Sequence, residues 1–300
     1  MSASTAHTPP SAGTAAPASG TPAHGGARPA GLGTRLRLPR ITTLIAAVVL
    51  GVTILWALVP GLFTGHNPID GGETASLLAP SAEHWFGTDQ IGRDVYSRVV
   101  HGASRSLLAA LIAVAVGLVV GSAIGLIAGS RGGWVSDVLM RIVDVLLSIP
   151  ALLLTLTIVI VLGFGTVNAA IAVGIAAIAQ FARLARAQTV TIMQADYVQA
   201  AYGSGGTYWS VLFRHVLPNA VSAVLALAVL QIGSAILQIS TLGFLGYGTP
   251  APAPEWGLII AEGRNFVATA WWLTVLPGLI VMAVVVSTHR LGTALREAAQ

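Results

Sequence analysis

The sequence contains no cysteine and no lysine, and only 9% of its 300 residues are charged. Without cysteine the chain cannot form disulfides, thiolate metal sites or a cysteine nucleophile. Without lysine it lacks the residue with which a P-loop binds nucleotide phosphates, so the chain cannot hold such a nucleotide site by itself. The charged fraction is far below the roughly 25% of soluble domains, which excludes a water-soluble globular protein.

Apolar side chains are abundant instead, because 55% of the residues are hydrophobic and the mean hydropathy is +0.80. A helix needs about 20 apolar residues to cross roughly 30 Å of hydrocarbon. Six stretches qualify and predict an all-α, polytopic membrane protein with six transmembrane helices: residues 41–63, 107–129, 138–162, 165–182, 220–246 and 266–288. The first stretch is longer than the apolar region of a signal peptide, so we interpret it as an uncleaved anchor.

The distribution of arginine predicts how the chain is oriented. With both termini in the cytoplasm, 11 of the 15 Arg residues lie on the cytoplasmic side, as the positive-inside rule requires. Residues 1–38, rich in Ala, Pro, Gly, Ser and Thr, are then a disordered cytoplasmic tail. Residues 64–106 become an external loop and residues 183–219 a cytoplasmic loop, and both are long enough to favour a function. The Arg residues form no single stripe, so no nucleic-acid partner is expected.

The sequence pattern of residues 194–219 predicts two short helices with a glycine turn between them. Glycine tolerates the positive φ of tight turns, and three glycines interrupt the helical pattern: Gly203, Gly205 and Gly206. Thr207 is a candidate N-cap of the second helix, and Pro218 is predicted to end it. Five apolar residues share one face of that helix and predict packing on membrane helices: Tyr208, Trp209, Leu212, Phe213 and Val216. The alternative is an ordinary interfacial amphipathic helix.

This segment resembles the "EAA" loop of ABC-importer permeases, whose pattern is E-A-A, three residues, G, and then I-x-L-P. The matching positions are Gln199, Ala200, Ala201, Gly205, Val216, Leu217 and Pro218. Gln199 replaces the family's Glu, and Thr293 replaces an Asp that is usual after the last Leu-Gly. Further segments resemble the dipeptide/oligopeptide/nickel branch of that family: residues 86–107, 141–154, 242–257, 271–279 and 290–297.

The resemblance implies a type I ABC-importer (MetI-like) permease fold, with the permease domain at residues 107–292 and a cytoplasmic C-terminus at 293–300. It implies a permease subunit of the bacterial cell membrane that is not an enzyme and binds no cofactor, because ATP and Mg are bound by partner subunits. The implied partners are a second homologous permease, two cytoplasmic ABC ATPase domains, an external substrate-binding protein and membrane lipids. The expected substrate is a di- or oligopeptide, and a nickel complex or haem remains an alternative.

Three groups of residues are candidate sites. In the family the cytoplasmic loop docks on an ATPase, which implies the contact residues Asp196, Gln199, Ala200, Ala201, Gly205 and Pro218. Four polar residues share one face of the fifth span and predict either interhelical hydrogen bonds or the wall of a translocation pathway: Gln231, Ser234, Gln238 and Thr241. The third group lies in the external segment: Asp89, Arg93 and Asp94. These residues predict either a gate or docking surface, or a structural ion-pair network. Their spacing fits no metal site, and the scattered histidines lack zinc spacing.

Other membrane proteins are the competing interpretations. A secondary transporter usually carries ionisable residues inside its spans, whereas Asp144 lies near a span end, where we expect it to pair with Arg141. A channel or a structural subunit would not need the compact cytoplasmic loop. The second span also carries a repeat of small residues that predicts close helix packing, with a hinge as the alternative: Gly117, Gly121, Gly125 and Gly129.

Overall fold

The computed structural model describes residues 41–71 and 75–298, and its regular structure there is helical apart from one isolated bridge between Thr88 and Asp94. The predicted disordered tail, residues 1–38, lies outside the described residues. The helices are α1 (Ile41–Leu58), α2 (Val95–Arg131), α3 (Gly133–Ser148), α4 (Ala151–Leu162), α5 (Thr166–Met193), α6 (Asp196–Gly203), α7 (Tyr208–Val211), α8 (Leu217–Phe244), α9 (Trp256–Gly263) and α10 (Trp272–Ala298). The predicted all-α class is confirmed.

Five helices of the described chain are long and apolar enough to cross a membrane, namely α1, α2, α5, the unit Tyr208–Phe244 and α10. The stretch 138–162, expected as a single transmembrane helix, is instead the pair α3 and α4, which meet at 97°. At the break Ile149 is extended, with φ −89° and ψ 130°. The ring of Pro150 causes this, because a proline disfavours helical backbone at the residue before it. Counting the bent pair as one crossing gives six.

Contacts at the two ends of α2 define the two ends of the bundle. Near its start, the indole Nε1 of Trp256 donates a hydrogen bond to the carbonyl of Val99 at 3.0 Å. Near its end, the hydroxyls of Ser130 and Tyr208 are 2.6 Å apart. We call the end with residues 194–216 the knob end, and the end with residues 75–94 and α9 the loop end.

The small-residue repeat of α2 lies directly against α5, which confirms its predicted role in packing. A Cβ atom at Gly121 would lie 2.5 Å from the carbonyl oxygen of Ile178 and 2.6 Å from Cβ of Phe181. At Gly117 it would lie 2.9 Å from Cβ of Ala177. The two backbones therefore approach more closely than any side chain would allow, and this contact forms the centre of the bundle.

Replacing Gly121 by Val is expected to destabilise the fold by about 1–3 kcal/mol, because overpacking here forces the backbones apart. The matched control is Gly51→Val in α1, where a Cβ meets no atom within 4 Å, and its effect should stay within about 0.5 kcal/mol. Thermal unfolding of both variants in detergent checks this. Equal melting temperatures for the two variants would contradict the packing.

Candidate functional site

Residues 194–219 form a small folded unit at the knob end, with a core of their own. Four buried side chains form this core: Val198, Val211, Leu212 and Val216. Leu126 of α2 and Ile192 of α5 pack against it. Gly205 has φ +87°, a left-handed conformation that glycine adopts without a steric penalty. Its N–H donates to the carbonyl of Tyr202 at 3.0 Å, which closes the turn after α6. The turn is therefore set by backbone geometry.

Most of the residues predicted to contact an ATPase lie on the surface of this unit. Asp196, Gln199, Ala200, Gly205 and Pro218 are exposed. Ala201 is half-buried and packs against the core of the unit instead. The side-chain amide of Gln199 donates to the carbonyl of Met193 at 2.8 Å, so this residue also ties α6 to the end of α5.

Pro218 does not end a helix, which corrects the sequence-based expectation. The helix runs without interruption from Tyr208 to Phe244, and Pro218 lies in the first turn of α8. Residues Leu212–Val216 form a π-helical turn directly before it, and the N–H of Leu217 bonds to the carbonyl of Leu212. The wider turn accommodates the missing donor of proline without a break. The second helix of this unit, which we call the knob unit (residues 194–219), therefore continues directly into α8.

The apolar face predicted for this helix is divided in the structure. Leu212 and Val216 are buried in the core of the unit, and Tyr208 packs beside them. Trp209 and Phe213 are exposed instead, with rings stacked at 5.9 Å and 15°. The two sets are neighbouring i, i+4 rows on the helix, and only one row can face the membrane helices.

The guanidinium of Arg131 lies 5.3 Å from the centre of the Tyr208 ring and adds a contact with the end of α2.

A crevice of about 730 Å³ opens between α3, α5 and α8. Its lining is mixed, with side-chain amides and one guanidinium among small and apolar residues: Leu147, Gln180, Arg183, Gln188, Ser222 and Ala226. The lining stretches of α5 and α8 are the parts of these helices nearest the knob end, since α5 ends and α8 begins there. The crevice therefore lies beside the helix that continues from residues 208–216 at the knob end.

The polar residues predicted on the fifth span follow this crevice along α8. Gln231, Ser234, Gln238 and Thr241 are all half-buried. The amide of Gln231 donates to Oε1 of Gln180 at 2.5 Å, so the stripe joins the crevice lining directly. Thr241 donates to the carbonyl of Leu237 at 2.8 Å, within its own helix. Among these four residues, the described structure thus shows one interhelical hydrogen bond of the predicted kind, made by Gln231, and bonds within the helix for Gln238 and Thr241.

The loop end contains a buried ionic cluster that includes two of the predicted external residues. Asp89 accepts hydrogen bonds from Nε of Arg93 at 2.6 Å and from Nη1 of Arg98 at 2.8 Å. Glu262 of α9 accepts from the same two arginines, at 3.2 Å and 2.5 Å. Sequence reasoning missed Arg98 and Glu262 as members, because residues 164 positions apart are joined only by folding.

Asp94, the third predicted external residue, lies beside this cluster and caps α2. Its carboxylate accepts the N–H of Ser97 at 2.6 Å and lies 3.0 Å from Nδ1 of His84. Asp89, Arg93 and Asp94 are all buried. This geometry fits the structural network better than an exposed docking surface.

Comparison with known proteins identifies the architecture. Residues 121–298, more than half of the chain, match the family described as binding-protein-dependent transport system inner membrane component. The chain belongs to this family. It is therefore a multi-pass inner-membrane permease of a transporter that works with a binding protein and a separate ATPase subunit. The permease is not an enzyme and binds no cofactor itself.

Relatives of the permease cover most of its length. It is 40% identical over 255 residues to a probable D,D-dipeptide transport system permease protein, DdpC, of Escherichia coli K12, covering 85% of this chain and 86% of the relative. It is 37% identical to the dipeptide permease protein DppC of Alkalihalophilus pseudofirmus, covering 85% and 84%. It is 39% identical to the glutathione permease protein GsiD of Pectobacterium atrosepticum, covering 73% of each.

Two solved transporters share the fold. An amino acid ABC transporter crystallised with histidines superposes with a TM-score of 0.53 at 15% identity, over 68% of this chain and 94% of that chain. The MetNI methionine ABC transporter in an inward-facing conformation gives a TM-score of 0.52 at 17% identity, over 66% and 96%. The expected MetI-like permease fold is confirmed.

The ion pair expected within α3 is formed differently in the permease. Oδ1 of Asp144 lies 2.7 Å from Nη2 of Arg183 on α5, and so the partner of Asp144 is not Arg141. The packing of α3 on α5 brings Arg183 within reach, and this neighbour is invisible to a rule based on i, i+3 spacing. Both members of the pair are exposed, and Arg183 lines the crevice.

Glu255 is a buried carboxylate of the permease that sequence reasoning did not single out. Its two oxygens accept the N–H groups of Gly257 and Leu258, each at 3.0 Å, and so cap α9. A Cβ at Gly243 would collide with Oε2 of Glu255, so glycine there lets the end of α8 approach. The available signal was an acidic residue directly before a short apolar helix.

Burial raises the pKa of Glu255, although the hydrogen bonds from Gly257, Leu258 and Ser106 act in the opposite direction. A raised pKa in the folded state means that the native chain keeps this proton longer than the unfolded chain does. Stability from this group is therefore full at low pH and is lost as the pH rises from about 4.5 through the raised pKa. We expect the melting temperature of the wild type to fall relative to that of Glu255→Gln over this window. Parallel pH profiles of the two proteins would contradict this.

Proposed function

We propose that this permease forms half of the translocation pathway of an ATP-driven importer for di- and oligopeptides. The relatives support this substrate class, since they are named as permeases for D,D-dipeptides, dipeptides and glutathione, which is itself a small peptide. Nickel complexes and haem, the other substrates considered, have no such support among these relatives. Since one chain supplies one side of a pathway, a second homologous permease completes it, and the apolar outer helices face lipid.

The observation that carries the proposal is the continuity between the knob unit and the crevice. Residues 194–219 expose a surface formed by Asp196, Gln199, Ala200 and Gly205, which we propose as the docking surface for one of two cytoplasmic ATPase domains. Helix α8 continues from this unit without a break and carries the crevice wall. In this proposal, movement of an ATPase reaches the pathway through the continuous helix Tyr208–Phe244.

The pathway itself is proposed along the crevice and the polar stripe of α8. Gln231, Ser234, Gln238 and Thr241 provide uncharged donors and acceptors, which suit peptide backbones of varied sequence. At the loop end, the cluster of Asp89, Arg93, Arg98 and Glu262 fastens residues 75–94 to α9. This end is then the external gate, on the side where a binding protein delivers substrate.

The knob end is proposed to face the cytoplasm, with both termini on that side. The excess of Arg on that side supports this orientation through the positive-inside rule. The test is a protease site engineered at residue 66, with protease added to intact spheroplasts. We expect cleavage in the intact spheroplasts. Cleavage only after the spheroplasts are opened would show the opposite orientation.

Affinity purification of the tagged chain from its own membranes tests the proposed machine. We expect an ABC ATPase and a second permease to co-purify, and reconstituted vesicles with the binding protein to take up a labelled dipeptide only with ATP. Uptake without ATP would indicate a secondary transporter, and a preparation without an ATPase would indicate a channel or a structural subunit. Competition by unlabelled glutathione, a nickel complex or haem then ranks the substrates.

A further inference from the structure

Arg183 is the one guanidinium among the residues that line the 730 Å³ crevice. Its Nη2 donates to Oδ1 of Asp144 at 2.7 Å, and this is its single side-chain hydrogen bond within the described chain. About 61% of its side chain and 59% of that of Asp144 are exposed. An ion pair this exposed is worth only about 0–1 kcal/mol, so it opens and closes readily.

Side-chain amides also line this crevice or bond to its lining. Gln180 precedes it by one turn of α5, Gln188 follows, and Gln231 joins Gln180 across from α8. Side-chain amides both donate and accept, so they match the N–H and C=O groups of a peptide backbone. A guanidinium matches a carboxylate, with up to two parallel hydrogen bonds. The wall therefore has the complement of a peptide that ends in a free carboxylate.

We infer that Arg183 binds the carboxylate of the peptide in the crevice, and that Asp144 is a built-in competitor that releases it. Asp144 occupies only Nη2, while Nε and Nη1 remain available for an incoming carboxylate. When Asp144 closes on Arg183 again, the peptide loses its charged contact and leaves. Binding in a transport pathway must be weak, and an exposed competitor keeps it weak. This inference rests on the proposed pathway and adds the residue that selects a substrate group.

The absence of cysteine from the chain allows a direct test in the assembled transporter. Ala187 lies one helical turn from Arg183 and also lines the crevice, and the Cβ atoms of two such residues are about 5–6 Å apart, so Ala187→Cys places a thiol beside Arg183. The probes are an anionic sulfonatoethyl and a cationic trimethylammonioethyl methanethiosulfonate. The rate at which each reagent modifies the thiol is divided by its rate of reaction with free 2-mercaptoethanol. Modification of the other subunits is measured separately by mass spectrometry.

We expect the ratio of anionic to cationic rates to fall about fivefold with Arg183→Gln, to rise about fivefold with Asp144→Asn, and to stay unchanged with Arg183→Lys. The opposite signs separate an accessible guanidinium from a change in folding, which would not follow charge. The inference is overturned if neither substitution changes the ratio of anionic to cationic rates. A thiol that reacts with neither reagent overturns it too, because another subunit then fills the crevice.

Uptake by reconstituted vesicles is the second arm. We expect Arg183→Gln to reduce uptake of a free-acid peptide about tenfold relative to wild type, and uptake of its C-terminal amide much less. Equal losses for both peptides overturn the inference and leave the proposed function intact. Absence of ATP-driven uptake of either peptide by the wild type overturns the proposed function instead.

Discussion

Replacing Asp89 by Asn is expected to destabilise the permease by about 3–5 kcal/mol, the largest effect on stability that we predict for a single substitution. Asp89 is shared by Arg93 and Arg98, whose side chains are only 2% and 1% exposed. Without its charge, Glu262 alone must balance two buried guanidinium groups. Nε and Nη2 of Arg98 are already buried without a hydrogen-bond partner among the described residues, so this part of the structure offers no spare acceptor to absorb the loss.

The matched control is Asp144→Asn, which removes the same charge from an aspartate–arginine pair that is exposed. It should change the free energy of unfolding by no more than about 1 kcal/mol. Both variants are compared by thermal unfolding of the purified complex in detergent. Asp89 differs from Asp144 in its burial and in the number of its hydrogen bonds, so equal shifts would contradict the predicted role of the buried cluster.

A double variant tests whether charge balance or shape is responsible. Asp89→Asn combined with Arg93→Gln removes one charge of each sign and leaves Arg98 paired with Glu262. We expect it to recover part of the stability lost by Asp89→Asn alone. The electrostatic explanation would be contradicted if the stability lost by the double variant equalled the sum of the losses of the two single variants.

Replacing Gly205 by Pro is expected to uncouple ATP hydrolysis from transport while the permease still assembles. Gly205 has φ +87°, whereas proline fixes φ near −65°, and its N–H bond to Tyr202 would also be lost. Strain of this kind costs about 1–3 kcal/mol, enough to reduce a step that requires the native turn roughly tenfold or more. The measurement is the number of peptides imported per ATP hydrolysed in reconstituted vesicles.

Gly203→Ala is the matched control for this substitution. Gly203 lies two residues earlier in the same unit, at the end of α6, and a Cβ there meets no atom within 4 Å. The control should retain wild-type coupling. Wild-type coupling in Gly205→Pro as well would refute the proposed role of the turn, since docking would then not depend on its angle.

The positions of the helices could be predicted from the sequence, but their breaks could not. Hydropathy located the apolar stretches, because the cost of placing polar groups in hydrocarbon is nearly additive along the chain. Two prolines had opposite outcomes that local rules do not separate. Pro150 follows an extended Ile149 and bends the chain by 97°, whereas Pro218 is absorbed after a π-helical turn. The presence of a proline therefore did not by itself predict whether the helix would break.

The knob unit shows the same division between local and tertiary control. The glycine turn at Gly205 was predictable, because its conformation is a property of a few consecutive residues. The orientation of Ala201 toward the core of the unit and of Trp209 toward its surface was not, since it depends on which helical row meets α2 and α5.

The sequence by itself determined the membrane class, the all-helical architecture and the family, because composition, hydropathy and short motifs are read along the chain. Only the tertiary structure decided that Asp144 pairs with Arg183, that Arg98 meets Glu262, and that a crevice opens between α3, α5 and α8. These features join residues that lie between 39 and 164 positions apart. Their partners are selected by helix packing, for which a single sequence carries no local signal.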